Sequence, residues 1–308
     1  INGELNVTYK TLGGYVEVDK YRYLYFVIIF IVYILTICSN STIVSLIWIH
    51  QNLHEPMYIF IAALLLNSVL LSTSLYPKLL TDVLSEKQII SYRACLFQWY
   101  AYYVLTGSEM PLLAAMAYDR YLSICKPLQY PTIMRKTNIS ILLVLAWLLP
   151  ACQITVPVSL SADAKLCNFT IRGLICSSTV FKLHCVRSVV LYVYGLVVLV
   201  NILILPVIFI LFTYSRIFRI CYRSSREVRR KAAQTCLPHL LILTNFTCSM
   251  GFDVLLGRLE TDFPQTLRLI MTLQLILYSP LFNPNIYGLK VKEIYKHLKR
   301  LLCPGKII

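Results

Sequence analysis

Charged residues are scarce in this chain. Only 14% of its 308 residues are Asp, Glu, Lys or Arg, whereas an ordinary soluble domain contains about a quarter. Hydrophobic residues make up 58%, which is more than a soluble fold needs for its core. The composition therefore excludes an ordinary soluble protein and predicts that lipid solvates much of the chain.

The chain also lacks the residue groupings that catalysis requires. Its five histidines are His50, His54, His184, His239 and His297. They are scattered, without the spacing of metal ligands, and no serine or cysteine nucleophile has a recognisable base. We therefore predict that the protein is not an enzyme. Because no internal repeat is visible, the pattern also argues against a transporter, the alternative from another class.

Seven apolar runs are long enough to cross a bilayer as helices, for which about 20 residues are needed. They occupy residues 24–49, 57–80, 96–118, 139–160, 188–214, 237–256 and 269–288. Polar residues such as Glu109 and Asp253 make the third and the sixth run the weakest. The predicted fold is an all-α membrane protein. A seven-transmembrane helix bundle at 24–288 follows a tail at 1–23 and precedes a short amphipathic eighth helix and tail at 289–308.

Basic residues concentrate on one side of this predicted bundle. They cluster around Arg120, between Arg216 and Lys231, and after Lys290. Cytoplasmic loops carry an excess of Lys and Arg. We therefore expect a multi-pass plasma-membrane protein with an extracellular amino terminus and a cytoplasmic carboxyl terminus. The net charge of +15 is explained by this topology and by attraction to anionic membrane lipid, so no nucleic-acid partner is predicted.

The predicted outer side carries glycosylation sequons and cysteines. Asn6 and Asn168 each begin an Asn-X-Thr triplet there. The outer cysteines are Cys95, Cys167, Cys176 and Cys185. Four cysteines allow three pairings. We favour Cys95 with Cys176 and Cys167 with Cys185, although spacing alone does not decide between the three.

Four motifs lie at the predicted cytoplasmic ends of helices. They are LHEPMY at 53–58, MAYDRYLSIC at 116–125, KAAQTCLPH at 231–239 and PLFNPNIY at 280–287. Together they resemble, in order and spacing, the signature of odorant receptors in the rhodopsin-like (class A) family of G-protein-coupled receptors. The long outer loop with three cysteines is similar to that family too, which supports the favoured pairing. Asn245 to Ser249 in the sixth run, and Ser68 where the family has a buried aspartate, resemble fish-type receptors more closely.

The resemblance implies a receptor that binds a small organic odorant within the bundle. It would activate a stimulatory olfactory-type heterotrimeric G protein and so raise cyclic AMP. The residues implied in coupling and activation are Asp119, Arg120, Tyr121, Tyr214, His239, Asn283, Pro284 and Tyr287. Asp119 would hold Arg120 at rest, and Tyr214 and Tyr287 would swing toward Arg120 on activation. A non-olfactory receptor of the same class is the alternative.

The ligand pocket is expected in the outer half of the bundle, between the third, fifth, sixth and seventh helices. Helical spacing outward from Arg120, and the facing helices, predict the lining residues Tyr102, Tyr103, Thr106, Met110, Val198, Ile202, Met250, Asp253, Val254, Leu273 and Ile276. This mostly apolar set with hydroxyls suits a small, partly polar molecule. Ordinary packing between helices is the alternative for any single member.

Glu109 is a buried carboxyl group in the third run, which is costly in lipid unless it is paired or hydrated. By resemblance it would form a sodium site with Ser68, Asn40 and Asn283. A neutral, structural Glu109 is the alternative, because Ser68 removes one carboxylate from that set. After the seventh run, residues 290–302 alternate basic and apolar side chains with helical spacing and are expected to lie along the inner leaflet. Cys303 is a candidate for palmitoylation, and a simple stop-transfer tail is the alternative.

Overall fold

The protein is described from a computed structural model, which covers residues 9–14, 18–171, 173–186, 188–222, 225–258 and 265–302. Within these residues the chain forms seven long helices and a shorter eighth. They are α1 (Val18–Ile49), α2 (Pro56–Leu84), α3 (Tyr92–Cys125), α4 (Lys136–Ala162), α5 (Val189–Tyr222), α6 (Arg226–Arg258), α7 (residues 265–290) and α8 (Lys292–Leu302). A single helical turn, Tyr130–Ile133, lies between α3 and α4.

Most helices are longer than the apolar runs that predict them. α1 begins at Val18, before the predicted boundary at residue 24, and α5 continues to Tyr222, beyond residue 214. Hydropathy detects only the part of a helix that crosses hydrocarbon, whereas the backbone hydrogen bonds continue through the polar turns beyond it. The predicted tail at 1–23 therefore contains the start of the first helix.

Four helices are long and apolar enough to cross a membrane on length and composition alone, among the described residues. These are α1 from Lys20, α2, α4 and α5. The third and sixth helices do not pass that criterion, and neither does the seventh. In the third helix the polar residues are accommodated by packing, because α3 contacts α2, α4, α5 and α6. The side chains of Gln98, Thr106 and Glu109 are accordingly buried.

The two ends of the bundle differ. At the end that we call the capped end, a three-stranded sheet covers the helices, with strand order β2-β1-β3. Strand β1 (Tyr9–Leu12) pairs antiparallel with β2 (Ile89–Ser91) and parallel with β3 (Thr170–Ile171). The amino-terminal segment thus supplies the central strand. The opposite end, which carries Arg120, is called the basic end.

The cap is held by close packing and by a buried cation. A Cβ atom on Gly14 would lie 2.4 Å from the carbonyl carbon of Gly173, so this contact has room only for glycine. Lys10 is fully buried, with its ammonium 4.3 Å from the centre of the Phe169 ring, and burial lowers the pKa of this lysine. The amino-terminal segment is therefore an integral part of the fold.

Two helices contain a π-helical turn. In α5 the turn is Val200–Ile204, and in α7 it is Gln274–Tyr278. The hydroxyl of Tyr76 on α2 donates to the carbonyl of Ile276 at 3.4 Å, within the second turn. π-turns are rare and occur often at functional sites.

Candidate functional site

The four pocket residues predicted on α3 face the interior of the bundle. Tyr102, Thr106 and Met110 are buried, and Tyr103 is half-buried. The rings of Tyr102 and Tyr103 meet edge to face, with their centres 4.9 Å apart. This stripe follows from helical spacing, since residues three and four apart share one face.

The facing helices bring three of the other predicted residues to the same apolar core. Met250 of α6 and Ile276 of α7 are buried in it, and Leu273 packs against it. Ile202 of α5 packs against Gly107 of α3. A Cβ atom placed on Gly107 would lie 3.3 Å from the Cγ2 atom of Ile202. Val198 is half-buried.

The side chains of Asp253 and Val254 lie outside the described residues, and so do Asn6 and Cys303. Among the described residues, Val198 does not belong to the side chains that pack against the main core. In the described part of the chain α3 contacts α5 and α6, α6 contacts α7, and Ile202 lies against α3 from α5.

Both π-turns carry a predicted pocket residue. Ile202 lies in the π-turn of α5, and Ile276 lies in that of α7. A π-turn adds one residue per turn and so redirects the side chains that follow. Simple helical spacing cannot predict such an offset, and nothing in the apolar sequence of either segment signals it.

Thr106 provides a polar group within these apolar walls. Its hydroxyl oxygen is buried and makes no hydrogen bond to any described residue. A buried hydroxyl without a partner is unfavourable, because it has lost its hydrogen bonds to water. The Thr106 hydroxyl is therefore a candidate hydrogen-bonding group for a ligand at the predicted pocket.

At the basic end, Asp119 and Arg120 form an ion pair. The Nε atom of Arg120 donates to Oδ2 of Asp119 at 2.9 Å, and the Nη2 atom donates to the same oxygen. Asp119 is fully buried. Since a buried carboxylate needs hydrogen-bond partners, this pair restrains Arg120 close to its neighbour.

Tyr130 completes this arrangement and was not predicted from the sequence. Its hydroxyl donates to Oδ1 of Asp119 at 2.8 Å, so that both carboxylate oxygens are engaged. Burial and then the negative charge of Asp119 raise the pKa of Tyr130. The only sequence signal is a tyrosine in the short segment that follows α3.

The other predicted activation residues meet on α5, α6 and α7. Tyr287 is fully buried, and its hydroxyl donates to the sulfur of Met116 at 3.8 Å. The ring centres of His239 and Tyr287 are 5.8 Å apart, and the two rings meet edge to face. Both His239 and Tyr214 lie within electrostatic range of Arg120.

Several of these groups have unused hydrogen-bonding capacity. The hydroxyl of Tyr214 and the Nδ1 atom of His239 are buried and make no hydrogen bond to a described residue. Tyr121 is half-buried and packs against the core. Polar groups that lack partners in one arrangement can gain them in another, so this cluster is suited to a change between two packings.

Polar residues lie between the pocket and the basic end. The side-chain amide of Asn283 donates to the hydroxyl of Ser68 at 3.4 Å, next to Pro284 inside α7. Asn40 donates to the carbonyls of Thr36 and Pro280 at 2.8 and 2.9 Å. Glu109 is fully buried. The Oδ1 atom of Asn40 is buried without a hydrogen bond to a described residue.

A second polar contact joins α2, α3 and α4 and was also missed. The indole nitrogen of Trp147 donates to Oδ1 of Asn67 at 3.0 Å, and Nδ2 of Asn67 donates to the carbonyl of Leu105 at 2.8 Å. One asparagine side chain thereby links three helices. An isolated asparagine and tryptophan in apolar runs carry no spacing signal that pairs them.

Both favoured disulfides are present in the structure. Cys95 is bonded to Cys176, and Cys167 is bonded to Cys185. The amide of Cys176 also donates to Oε1 of Gln98 at 3.0 Å, which accounts for one polar residue within the third run. The Cys95–Cys176 bond fastens the long loop after α4 to the capped end of α3, and the Cys167–Cys185 bond closes a smaller loop within it. Asn168 is exposed in that loop.

Comparison with known proteins identifies the family. The family model described as olfactory receptor matches residues 29–305. Human olfactory receptor 11A1 is 34% identical to this chain over 98% of its length and 96% of the relative. Human olfactory receptors 2A5 and 10A3 are 33% and 31% identical, over 88% and 94% of this chain and 88% and 93% of the relatives. The relatives named here are human, so the fish-type resemblance stays a prediction.

This agreement covers nearly the whole chain, and the arrangement of helices and disulfides is consistent with it. The alternatives of a transporter and of a non-olfactory receptor are therefore set aside. The chain belongs to the olfactory receptor family, and it is accordingly a seven-transmembrane, multi-pass odorant receptor of the G-protein-coupled class and not an enzyme.

Proposed function

We propose that this receptor binds a small, partly polar odorant beside Thr106 and couples binding to a stimulatory heterotrimeric G protein at its basic end, so that cyclic AMP rises. The capped end would face the outside of the cell and the basic end the cytoplasm, in agreement with the distribution of Lys and Arg. The ligand site and the coupling site would then lie at opposite ends of one bundle.

One observation carries this proposal, which is that α3 bears both sites. Thr106 and Arg120 belong to the same helix, and that helix contacts α2, α4, α5 and α6. A small displacement of the helix at the pocket therefore reaches the ion pair without a flexible connection. Coupling between distant sites needs such a contiguous packed element with two arrangements.

The resting arrangement is stabilised by Asp119. Its two oxygens accept from Arg120 and from Tyr130, which keeps the guanidinium of Arg120 beside α3. An agonist would favour an alternative packing in which the inner end of α6 moves away. Tyr214, His239 and Tyr287 could then provide new partners for Arg120. A ligand shifts such an equilibrium only by binding one arrangement more tightly.

The lining residues set the expected ligand class. Tyr102, Met110, Met250 and Ile276 offer an apolar surface, and Thr106 offers one hydrogen-bonding hydroxyl. Volatile alcohols, ketones, aldehydes and esters match this pattern. Tyr102 occupies the position where amine receptors carry an aspartate, so a primary amine is not expected.

For Glu109 we propose a neutral, structural role without a resident sodium ion. The candidate sodium ligands are Glu109, Ser68, Asn40 and Asn283, which contain a single carboxyl group. The Ser68 hydroxyl already accepts a hydrogen bond from Asn283. The Asn40 amide nitrogen is engaged by two carbonyls, and its Oδ1 atom makes no hydrogen bond to a described residue. One carboxyl group among neutral oxygens is a weak set of ligands for a cation, whereas a neutral carboxyl group is less costly to bury than a charged one.

The proposed membrane arrangement has two further parts. Helix α8 is amphipathic and would lie along the inner leaflet, with Leu301 exposed to lipid. Palmitoylation of Cys303 would add a second membrane anchor. Glycans on Asn6 and Asn168 would mark the outer face.

The deciding experiment measures cyclic AMP in cells that express the chain with an olfactory-type G protein, across an odorant panel. Arg120→Ala is compared with Arg93→Ala, which removes an exposed arginine at the capped end, and all receptors are matched for surface amount. We expect odorant responses that Arg120→Ala abolishes and Arg93→Ala preserves. A response that survives in Arg120→Ala would refute the proposed coupling site.

A further inference from the structure

Two histidines join α8 to the basic end of α1. The ring centres of His50 and His297 are 3.9 Å apart, and the planes are tilted by 49°. His50 directly follows α1 and is half-buried, whereas His297 lies in α8 and is only 7% exposed. The contact is therefore an interior one, although neither residue belongs to the ligand or coupling site.

The hydrogen bonds of the pair assign the hydrogen on one ring nitrogen of each histidine. Nδ1 of His50 lies 3.0 Å from the carbonyl oxygen of Leu46, which can only accept, so that nitrogen carries a hydrogen. The amide nitrogen of Asn52 lies 3.1 Å from Nε2 of His297 and can only donate. Nε2 of His297 is therefore an acceptor without a hydrogen. The observed contact requires a neutral His297.

Protonation would oppose this contact in two ways. A proton on Nε2 of His297 would face the donor amide of Asn52, and a positive ring would lie against His50. On α8 itself Arg300 and Lys296 oppose the added charge, while Glu293 favours it. Burial, followed by His50 and Arg300, accordingly lowers the pKa of His297.

Apolar contacts dock the same helix. Ile294 is fully buried. Leu298 packs against Gly288 at the end of α7, because a Cβ atom placed on Gly288 would lie 3.6 Å from the Cδ2 atom of Leu298. These contacts do not depend on pH. His297 thus adds a titratable contact to these apolar ones.

We propose that His50 and His297 form a proton-sensitive latch, which docks α8 against the end of α1 at neutral pH and releases it on acidification. Because the docked state binds fewer protons than the released state, its stability is fully present above the ordinary histidine pKa. That stability is lost as the pH falls through the lower pKa of docked His297. If the basic end is cytoplasmic, the signal is cytosolic acidification.

The test uses the full-length receptor in lipid nanodiscs. Spin labels on non-natural amino acids at Ile49 and Leu301, both exposed, report the distance between α1 and α8. We expect a single short distance at about pH 7.5 and a growing longer population toward about pH 5.5. The ratio of released to docked receptor should change by at most about tenfold per pH unit for each proton taken up.

Variants distinguish the latch from a general effect of acid. His50→Gln and His297→Gln should remove the pH response, whereas His54→Gln, at an exposed neighbouring histidine, should keep it. Asn52→Asp places an acceptor opposite Nε2 and should keep α8 docked at the acidic pH. Should His297→Gln not fold, His50→Gln and Asn52→Asp still decide the matter, since His50 is only half-buried and Asn52 is exposed.

A wild-type distance that does not change with pH would overturn the proposal. So would an equal pH response in His50→Gln, or release of α8 from Asn52→Asp at the same pH as wild type. The measurement needs neither an odorant nor a G protein. Its outcome is therefore independent of whether the proposed coupling mechanism holds.

Discussion

The bond from Tyr130 to Asp119 leads to a prediction about activity without ligand. Tyr130→Phe removes one hydroxyl and leaves the ring in place. The lost bond joins a hydroxyl to a buried carboxylate at 2.8 Å. In the proposed mechanism this bond restrains Asp119 in the resting arrangement, so its removal should shift the equilibrium toward the active one.

The magnitude follows from the strength of such bonds. Hydrogen bonds to charged groups contribute about 1.5 to 3 kcal/mol. Tyr130 is only half-buried, and water can replace part of the interaction, so about 1 kcal/mol is a suitable value after this discount. That energy corresponds to about a fivefold increase in the ratio of active to resting receptor.

The assay measures ligand-free cyclic AMP per receptor at the cell surface. Tyr295→Phe is the matched control, because it removes a hydroxyl from an exposed tyrosine of α8. We expect several-fold higher basal signalling in Tyr130→Phe and no change in the control. Unchanged or lower basal signalling in Tyr130→Phe, at equal surface amount, would refute the assigned role of this bond.

Three further predictions concern the pocket, the polar core and the cap. Thr106→Val should raise the half-maximal concentration of a hydrogen-bonding odorant about fivefold, because about 1 kcal/mol of binding free energy is lost. The response to a hydrocarbon odorant should not change, and an equal loss of potency for both odorants would count against Thr106 as the polar contact. Glu109→Gln should preserve signalling, and replacing sodium by choline should not change odorant potency in wild type; a sodium effect that Glu109→Gln abolishes would show a bound ion. Gly14→Ala should increase amide hydrogen exchange in β1, because its Cβ atom would collide with Gly173. Gly13→Ala should not, since a Cβ atom on Gly13 would meet its nearest neighbours only at 3.6 Å. Equal amide protection in the two variants would contradict the close contact with Gly173.

Much of the candidate site was accessible from helical spacing. Tyr102, Thr106 and Met110 were predicted from their distance along the helix to Arg120, and all three are buried. A period of 3.6 residues is a local property of the backbone, so it can be read without knowing the neighbours. The same reasoning failed to anticipate the π-turns at Ile202 and Ile276, because those depend on packing between helices.

Contacts between distant segments were the part that spacing could not supply. Tyr130 meets Asp119, Asn67 meets Trp147, and His50 meets His297 only after the helices have packed. Each pair joins residues with no shared motif. The amino-terminal strand is a further case, since its place at the centre of the small sheet depends on partners far along the chain.

Composition alone predicts a helical membrane protein, and the four motifs predict the family. Apolar length and motif order are properties of the chain alone, and lipid permits few other folds for such a composition. The pairing of polar groups and the closure of the cap over the bundle arise only from packing in three dimensions. These outcomes depend on hydrogen bonds and close contacts of a few ångströms, and such contacts exist only once the three-dimensional packing has brought the residues together.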